Sequence, residues 1–185
     1  MTVAKARRRS LRRSASAAPR FTRSVSAEPG ACTPGGQAAG GAGFSAVTIS
    51  PDGTVVAAVG YINGYGPGGQ SDDSPVAWLC SMLSGKLTDL TATYPAGKQH
   101  GFSSAAFSPD GGLLAAGGDT GRVEIWNTRT GQAVKAFDVP PAETVNPVAF
   151  SPDGKVLAAV QASVNATGPG QGTIEVWDVY GPNRP

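Results

Sequence analysis

The sequence predicts an all-β chain made of repeated antiparallel sheets, and three observations carry that expectation. Glycine and proline contribute 26 and 15 of the 185 residues, well above the roughly 12% of an average chain, which suits many short strands joined by turns. The tetrapeptide Ser-Pro-Asp-Gly occurs three times, as Ser50, Pro51, Asp52, Gly53, then Ser108, Pro109, Asp110, Gly111, then Ser151, Pro152, Asp153, Gly154. Each copy lies between two short apolar runs and is followed by an alternating run that ends in tryptophan.

The turn motif has a direct physical reading. Proline presets φ at the second turn position, aspartate hydrogen-bonds nearby backbone, and glycine takes the positive φ that follows a type I turn. Residues 46–49 and 54–59 flank the first turn, 104–107 and 112–116 the second, and 147–150 and 155–160 the third. Two β-rich runs around such a turn make a hairpin. Third strands are expected at 75–78, 122–126 and 173–177, ending in Trp78, Trp126 and Trp177. Alternation puts Val123 and Ile125 on one face and Glu124 on the other. Further turns at 84–86 and 130–132 introduce fourth-strand candidates at 86–91 and 132–137. The three tryptophans are read as one repeat position, packing between units.

Charge divides the chain. Residues 1–43 carry Lys5, Arg7, Arg8, Arg9, Arg12, Arg13, Arg20 and Arg23 against Glu28, a net +7, and the other seven basic and twelve acidic residues give the remainder −5. This Arg/Ser/Gly-rich segment has no hydrophobic period and too little apolar surface to offset its ordering entropy, so it is expected to be a disordered basic tail. It reads as a solvated arm, as a targeting peptide, or as a polyanion-contacting segment with Ser10, Ser14 and Ser16 open to phosphorylation. A twin-arginine export signal is disfavoured because no apolar core follows the arginines. No aromatic residue is interleaved with Arg7 to Arg13, so there is no stacking platform for single-stranded nucleic acid.

The remaining residues argue against most chemistry. No stretch reaches the length of about 18 to 20 apolar residues that a membrane helix needs. One histidine, His100, and two cysteines, Cys32 and Cys80, make neither a metal-ligand set nor a disulfide scaffold. Cys80 is read as a packed core thiol and Cys32 as a tail residue. His100 lies near Ser103 and Ser104, but no strained nucleophile turn surrounds either serine. The segment from Cys80 to Leu87 fails the phosphate-loop pattern at both ends. Asn165-Ala166-Thr167 fits a glycosylation acceptor, without a secretory signal before it.

Three strands, tryptophan, turn and fourth strand form one unit, with turn serines 58 and then 43 residues apart. This unit resembles the blade of a WD-repeat (tryptophan–aspartate repeat) β-propeller, whose repeat is about 40–45 residues. Residues 107–127, with Asp119 and Trp126, follow the family's inner hairpin and third strand, and Trp177-Asp178 supplies its namesake dipeptide. The resemblance implies an incomplete β-propeller of about three four-stranded antiparallel blades, at 44–94, 95–139 and 140–180, with a C-terminal tail at 181–185. It further implies a non-catalytic cytoplasmic scaffold for protein–protein interaction, without cofactor or metal, in a larger propeller or signalling assembly. Its partners would be other proteins, further blades or a second copy in a homo-oligomer, with nucleic acid limited to weak tail contacts. The alternatives are an enzymatic or exported propeller (lactonase-like or periplasmic assembly type) and polyanion binding by the tail.

Departures accompany the resemblance. Where the family places Gly-His, the chain has Ala39-Gly40, Gly97-Lys98 and Pro140-Pro141. Turn serine to tryptophan spans 18 residues in the second copy but 28 in the first and 26 in the third. The extra residues fall between second and third strands and carry Gly66-Pro67-Gly68 and Gly168-Pro169-Gly170, expected as surface loops suited to recognition. A third blade without a fourth strand, in a fold whose rings need about four to eight blades, leaves two apolar faces open.

Overall fold

The three Ser-Pro-Asp-Gly turns fold alike, and each fixes the register of the hairpin it joins. In the computed structural model, Ser50 Oγ donates to Asp52 Oδ1, Ser108 Oγ to Asp110 Oδ1 and Ser151 Oγ to Asp153 Oδ1, each at 2.6 Å. The same hydroxyl oxygens accept the N–H of Val55, Leu113 and Val156 at 2.9–3.0 Å. Gly53, Gly111 and Gly154 have φ of 70°, 71° and 71°, the left-handed region that a side chain strains.

The structure describes residues 32, 42–62, 74–91, 101–119, 122–139, 143–163 and 172–181. All regular structure in them is β. The first sheet holds β1 (Ala42–Ile49), β2 (Val55–Ile62), β3 (Ser74–Ser81) and β4 (Leu87–Asp89). The second holds β5 (Phe102–Phe107), β6 (Leu113–Gly118), β7 (Arg122–Asn127) and β8 (Ala133–Asp138). The third holds β9 (Glu143–Phe150), β10 (Val156–Ser163) and β11 (Gly172–Asp178). Each sheet is antiparallel and ordered as the chain runs, and among the described residues the third has three strands. The innermost strands β1, β5 and β9 stand side by side.

Strand alternation explains the packing. Strands β6 and β7 bury residues of both alternation sets, so the second sheet is covered on both faces. Toward the first sheet, Phe102, Leu114, Ala116 and Trp126 meet Ala57, Val59, Ala77, Leu79 and Leu90. Toward the third, Ala115, Val123, Ile125 and Phe137 meet Val145, Val148, Leu157 and Ala159. Phe102 and Trp126 pack edge-on at 5.5 Å, and Phe137 stacks on Trp177 at 5.0 Å across the second join. Each large side chain so buried contributes about 1.5–3 kcal/mol. Hydrogen bonds close the second join: Ser103 Oγ donates to the Val145 carbonyl at 3.2 Å, and buried Ser104 Oγ accepts the Val148 N–H at 3.0 Å. The turns also stack, Gly111 over Pro51 and Gly154 over Pro109.

The structure corrects several readings. β1 begins at Ala42, two residues before the expected boundary at 44. Cys32 and Cys80, read as a tail residue and a core thiol, form a disulfide with Cα atoms 5.9 Å apart. Their separation of 48 residues follows no local spacing rule, which is why the pairing was invisible in sequence. Trp78 does not share the repeat position of Trp126 and Trp177. β2–β3 pairs Val56 with Cys80 and Ala58 with Trp78, whereas β6–β7 pairs Leu114 with Trp126 and Ala116 with Glu124. β10–β11 pairs Leu157 with Trp177 and Ala159 with Glu175. Counted from the turn serine, Cys80 therefore stands where Trp126 and Trp177 stand, and Trp78 is equivalent to Glu124 and Glu175. Positions two apart share a strand face, so alternation alone did not distinguish them. Apart from Cys32, Ala42 and Gly43, the tail expected at 1–43 lies outside the described residues. So do His100, the two Gly-Pro-Gly loops, Asn165 and residues 182–185.

Candidate functional site: two open sheet faces

The same alternation that buries the second sheet leaves one face open on each of its neighbours. On the third sheet, Val156, Ile174 and Val176 point away from the second. They are equivalent to Leu113, Val123 and Ile125 in the second sheet by register from the turn serine. Val123 and Ile125 are 0% exposed, while Ile174 is 71% and Val176 59% exposed. Identical positions, with the same apolar chemistry, are thus covered in one sheet and bare in the next.

The first sheet is open on the opposite side. Val47 and Ile49 on β1 face outward beside Ala58 and Val56, and Val47 is 70% exposed. Their counterparts one sheet on are Ala105 and Phe107, which pack against the first sheet's inner face. Phe44, the counterpart of Phe102 by register, packs edge-on against Trp78 at 5.1 Å. Trp78 is largely buried, yet its indole Nε1–H finds no acceptor among the described residues, an omission that costs about 1–3 kcal/mol. Cys80 lies on this face, and its partner Cys32 sits with Sγ 3.5 Å from the Gly85 carbonyl oxygen.

At the rim, the residue after the tryptophan position caps its own turn. Asn127 Oδ1 accepts the N–H of Arg129 and Thr130, and Asp178 Oδ1 those of Tyr180 and Gly181. Ser81 does the same more weakly toward Ser84. Asp119 Oδ1 accepts the Gly101 N–H at 2.6 Å, tying the β6–β7 loop to the start of β5. Lys135 reaches across to the third sheet, donating to the carbonyls of Asp178, Val179 and Gly181 at 2.6–3.3 Å. Lys135, Ser103 and Ser104 carry no repeat signature. Their roles between sheets were not foreseen from the sequence.

The turn aspartates Asp52, Asp110 and Asp153 are held below the usual carboxylate pKa, first by the serine hydroxyl and then by a backbone N–H. They are charged structural acceptors on the surface. Among the described residues, no group of three or more His, Cys, Asp or Glu side chains is placed to hold a metal ion. Among the described residues no helix is long and apolar enough to cross a membrane. What the arrangement offers chemically is apolar docking area.

Stacked four-stranded antiparallel sheets with their first strands innermost define a class, the blades of a β-propeller. The WD domain, G-beta repeat family profile matches residues 89–127. Translation initiation factor 3 subunit I from Aspergillus fumigatus is 39% identical over 107 residues, covering 57% of this chain and 29% of the relative. The Coccidioides immitis protein of the same name is 41% identical over 113 residues, covering 56% and 31%. A crystal structure of the RRP9 WD40 repeats superposes with TM-score 0.50 at 17% identity, over 75% of this chain and 36% of that one. The chain is thus similar to WD-repeat proteins in one matched repeat and in fold, and it spans less than a third of the length of these relatives.

Proposed function

We propose that this chain is a non-catalytic WD-repeat scaffold that binds protein partners as part of a larger assembly. The observation that carries the reading is the pair of open blade faces, whose residues are those that join blade to blade inside the molecule. Apolar patches of this kind mark protein contact sites. Its relatives are named as subunits of a translation initiation factor, which supports a subunit role and a cytoplasmic setting. Ser103 and Ser104, the serines nearest His100 in sequence, have their hydroxyls engaged between blades, which supports a role without catalysis.

Photo-crosslinking at Ile174 and at Val47 in the producing cell tests the reading. Defined protein adducts at these positions, and none at exposed Pro109, are the expected result. Labelling equal to that at Pro109 would remove its basis.

A further inference from the structure

The sequence holds two cysteines, and the fold pairs them across 48 residues. Cys80 lies near the end of β3, opposite Val56 on β2 and Leu87 on β4. Cys32 reaches it from ahead of β1, beside the β3–β4 turn, with Sγ 3.5 Å from the Gly85 carbonyl oxygen. The Cα atoms are 5.9 Å apart, within the usual range of about 4.4–6.8 Å for such a bond. Both residues are half-buried, so neither sulfur is sealed in a core away from small thiols and peroxides.

What the bond replaces is visible in the neighbouring blades. By register Cys80 stands where Trp126 and Trp177 stand. Trp126 is 1% exposed and packs edge-on against Phe102 at 5.5 Å, and Trp177 stacks on Phe137 at 5.0 Å. Those two anchors are apolar and do not depend on the chemistry of the surroundings. The first blade has a small side chain at that position and holds it by a covalent bond that thiols can break. The loop the bond closes contains β1, β2 and all of β3 but Ser81. On the same face Phe44 packs against Trp78, a contact between β1 and β3 that outlasts the bond and holds the two sulfurs' strands in place.

We propose that Cys32 and Cys80 form a thiol–disulfide switch that sets how readily the first blade opens. Disulfides inside cells are mostly transient and redox-sensing, and for that reason the inference rests on the cytoplasmic scaffold reading. Reduction takes two equivalents of a monothiol. The first thiolate forms a mixed disulfide with one cysteine and releases the other, and the second frees the remaining cysteine and leaves the reductant as its own disulfide. Oxidation takes one equivalent of hydrogen peroxide. One cysteine becomes a sulfenic acid with loss of a first water, and the other's sulfur then displaces hydroxide, closing the bond with loss of a second. The closed bond restricts the open chain of the first blade, and the tryptophan-anchored blades carry no such control.

The full chain, equilibrated in glutathione buffers from oxidising to reducing, tests this. Alkylation followed by mass measurement reads the fraction bonded, and hydrogen exchange reads each blade. The bonded fraction is expected to move between its limits across buffers of cellular composition. Amides of β1 to β3 should exchange faster by about tenfold or more once the bond is open, while those of β6 to β8 stay unchanged. Cys32→Ser and Cys80→Ser should each exchange like the reduced chain and ignore the buffer, which ties the response to this bond. A bond that stays closed in every buffer is a permanent staple and overturns the proposal. Failure of peroxide to re-form it does the same, as does exchange in β1 to β3 that is indifferent to its state. Crosslinking at Ile174 in the producing cell judges the scaffold reading separately, because the third blade lies outside the bonded loop. Adducts there with no redox response would sink the switch and leave the scaffold standing.

Discussion

The second blade and the third are built to one plan and live in different surroundings. Val123 and Ile125 are wholly buried, whereas Ile174 and Val176, at the same register, are mostly bare. A single blade thus does not own its core. Half of each face belongs to a neighbour, and stability is approximately a sum of blade terms and join terms. An uncovered face is a join waiting for its other half, so position in the array decides whether a side chain stabilises the fold or serves as contact area.

The largest contrast is expected from truncations. Trp126→Ala removes a side chain buried between first and second blades and should cost about 3–5 kcal/mol. Val176→Ala should change the stability read from a urea titration by no more than about 0.5 kcal/mol. Equal losses would mean that the two faces are equally covered.

A turn substitution should ignore the comparison. Gly111→Ala puts a Cβ on a residue at φ 71° and should cost about 1–2 kcal/mol. Gly53→Ala should cost the same, although Gly53 has no neighbouring turn over it, because the strain is local. Thermal melts of the two variants check this.

Acid titration probes the three turns together. Asp52, Asp110 and Asp153 have folded pKa values depressed by serine and backbone hydrogen bonds. A depressed folded pKa contributes stability that is present above the ordinary carboxylate value, about 3.9, and is lost as pH falls through the lower folded value. The urea midpoint should therefore drop below about pH 4. Asp110→Asn should flatten part of that slope. An unchanged slope would show that the hydroxyl–carboxylate bonds do not outlast solvent exchange.

The smallest effect is expected from Arg122→Ala. Arg122 Nε bonds Asp138 Oδ1 at 2.8 Å, with both side chains substantially exposed, and the loss should stay within about 1 kcal/mol. A larger loss in a denaturant titration would point instead to the contact with buried Glu124.

Much of the fold was legible because its rules are local. Ser108, Asp110 and Gly111 specify a turn whatever surrounds them, and alternation around Val123 and Ile125 fixes which residues share a face. The two open faces followed from the same alternation. What the sequence did not show depends on registers and partners far apart in the chain. Trp78 and Cys80 lie on one face of β3, so alternation points to the tryptophan as the repeat residue, whereas the pairing of Val55 with Ser81 gives that place to Cys80. The bond from Cys32 to Cys80 spans 48 residues and leaves no periodic signal. Ser103, Ser104 and Lys135 act between blades, and no repeat signature marks them. Signals did exist for the first two, since paired small hydroxyls on an otherwise apolar inner strand need partners once buried.

One paired measurement tests most directly whether position in the array separates core from docking surface. Ile125→Glu and Val176→Glu place the same charge at the same register position in neighbouring blades, and far-ultraviolet circular dichroism with a urea titration compares them. The expected result is that Ile125→Glu loses the cooperative β transition while Val176→Glu keeps it. Equal loss of folding in both, or a fold untouched by Ile125→Glu, would contradict the assignment of one face as core and the other as open contact area.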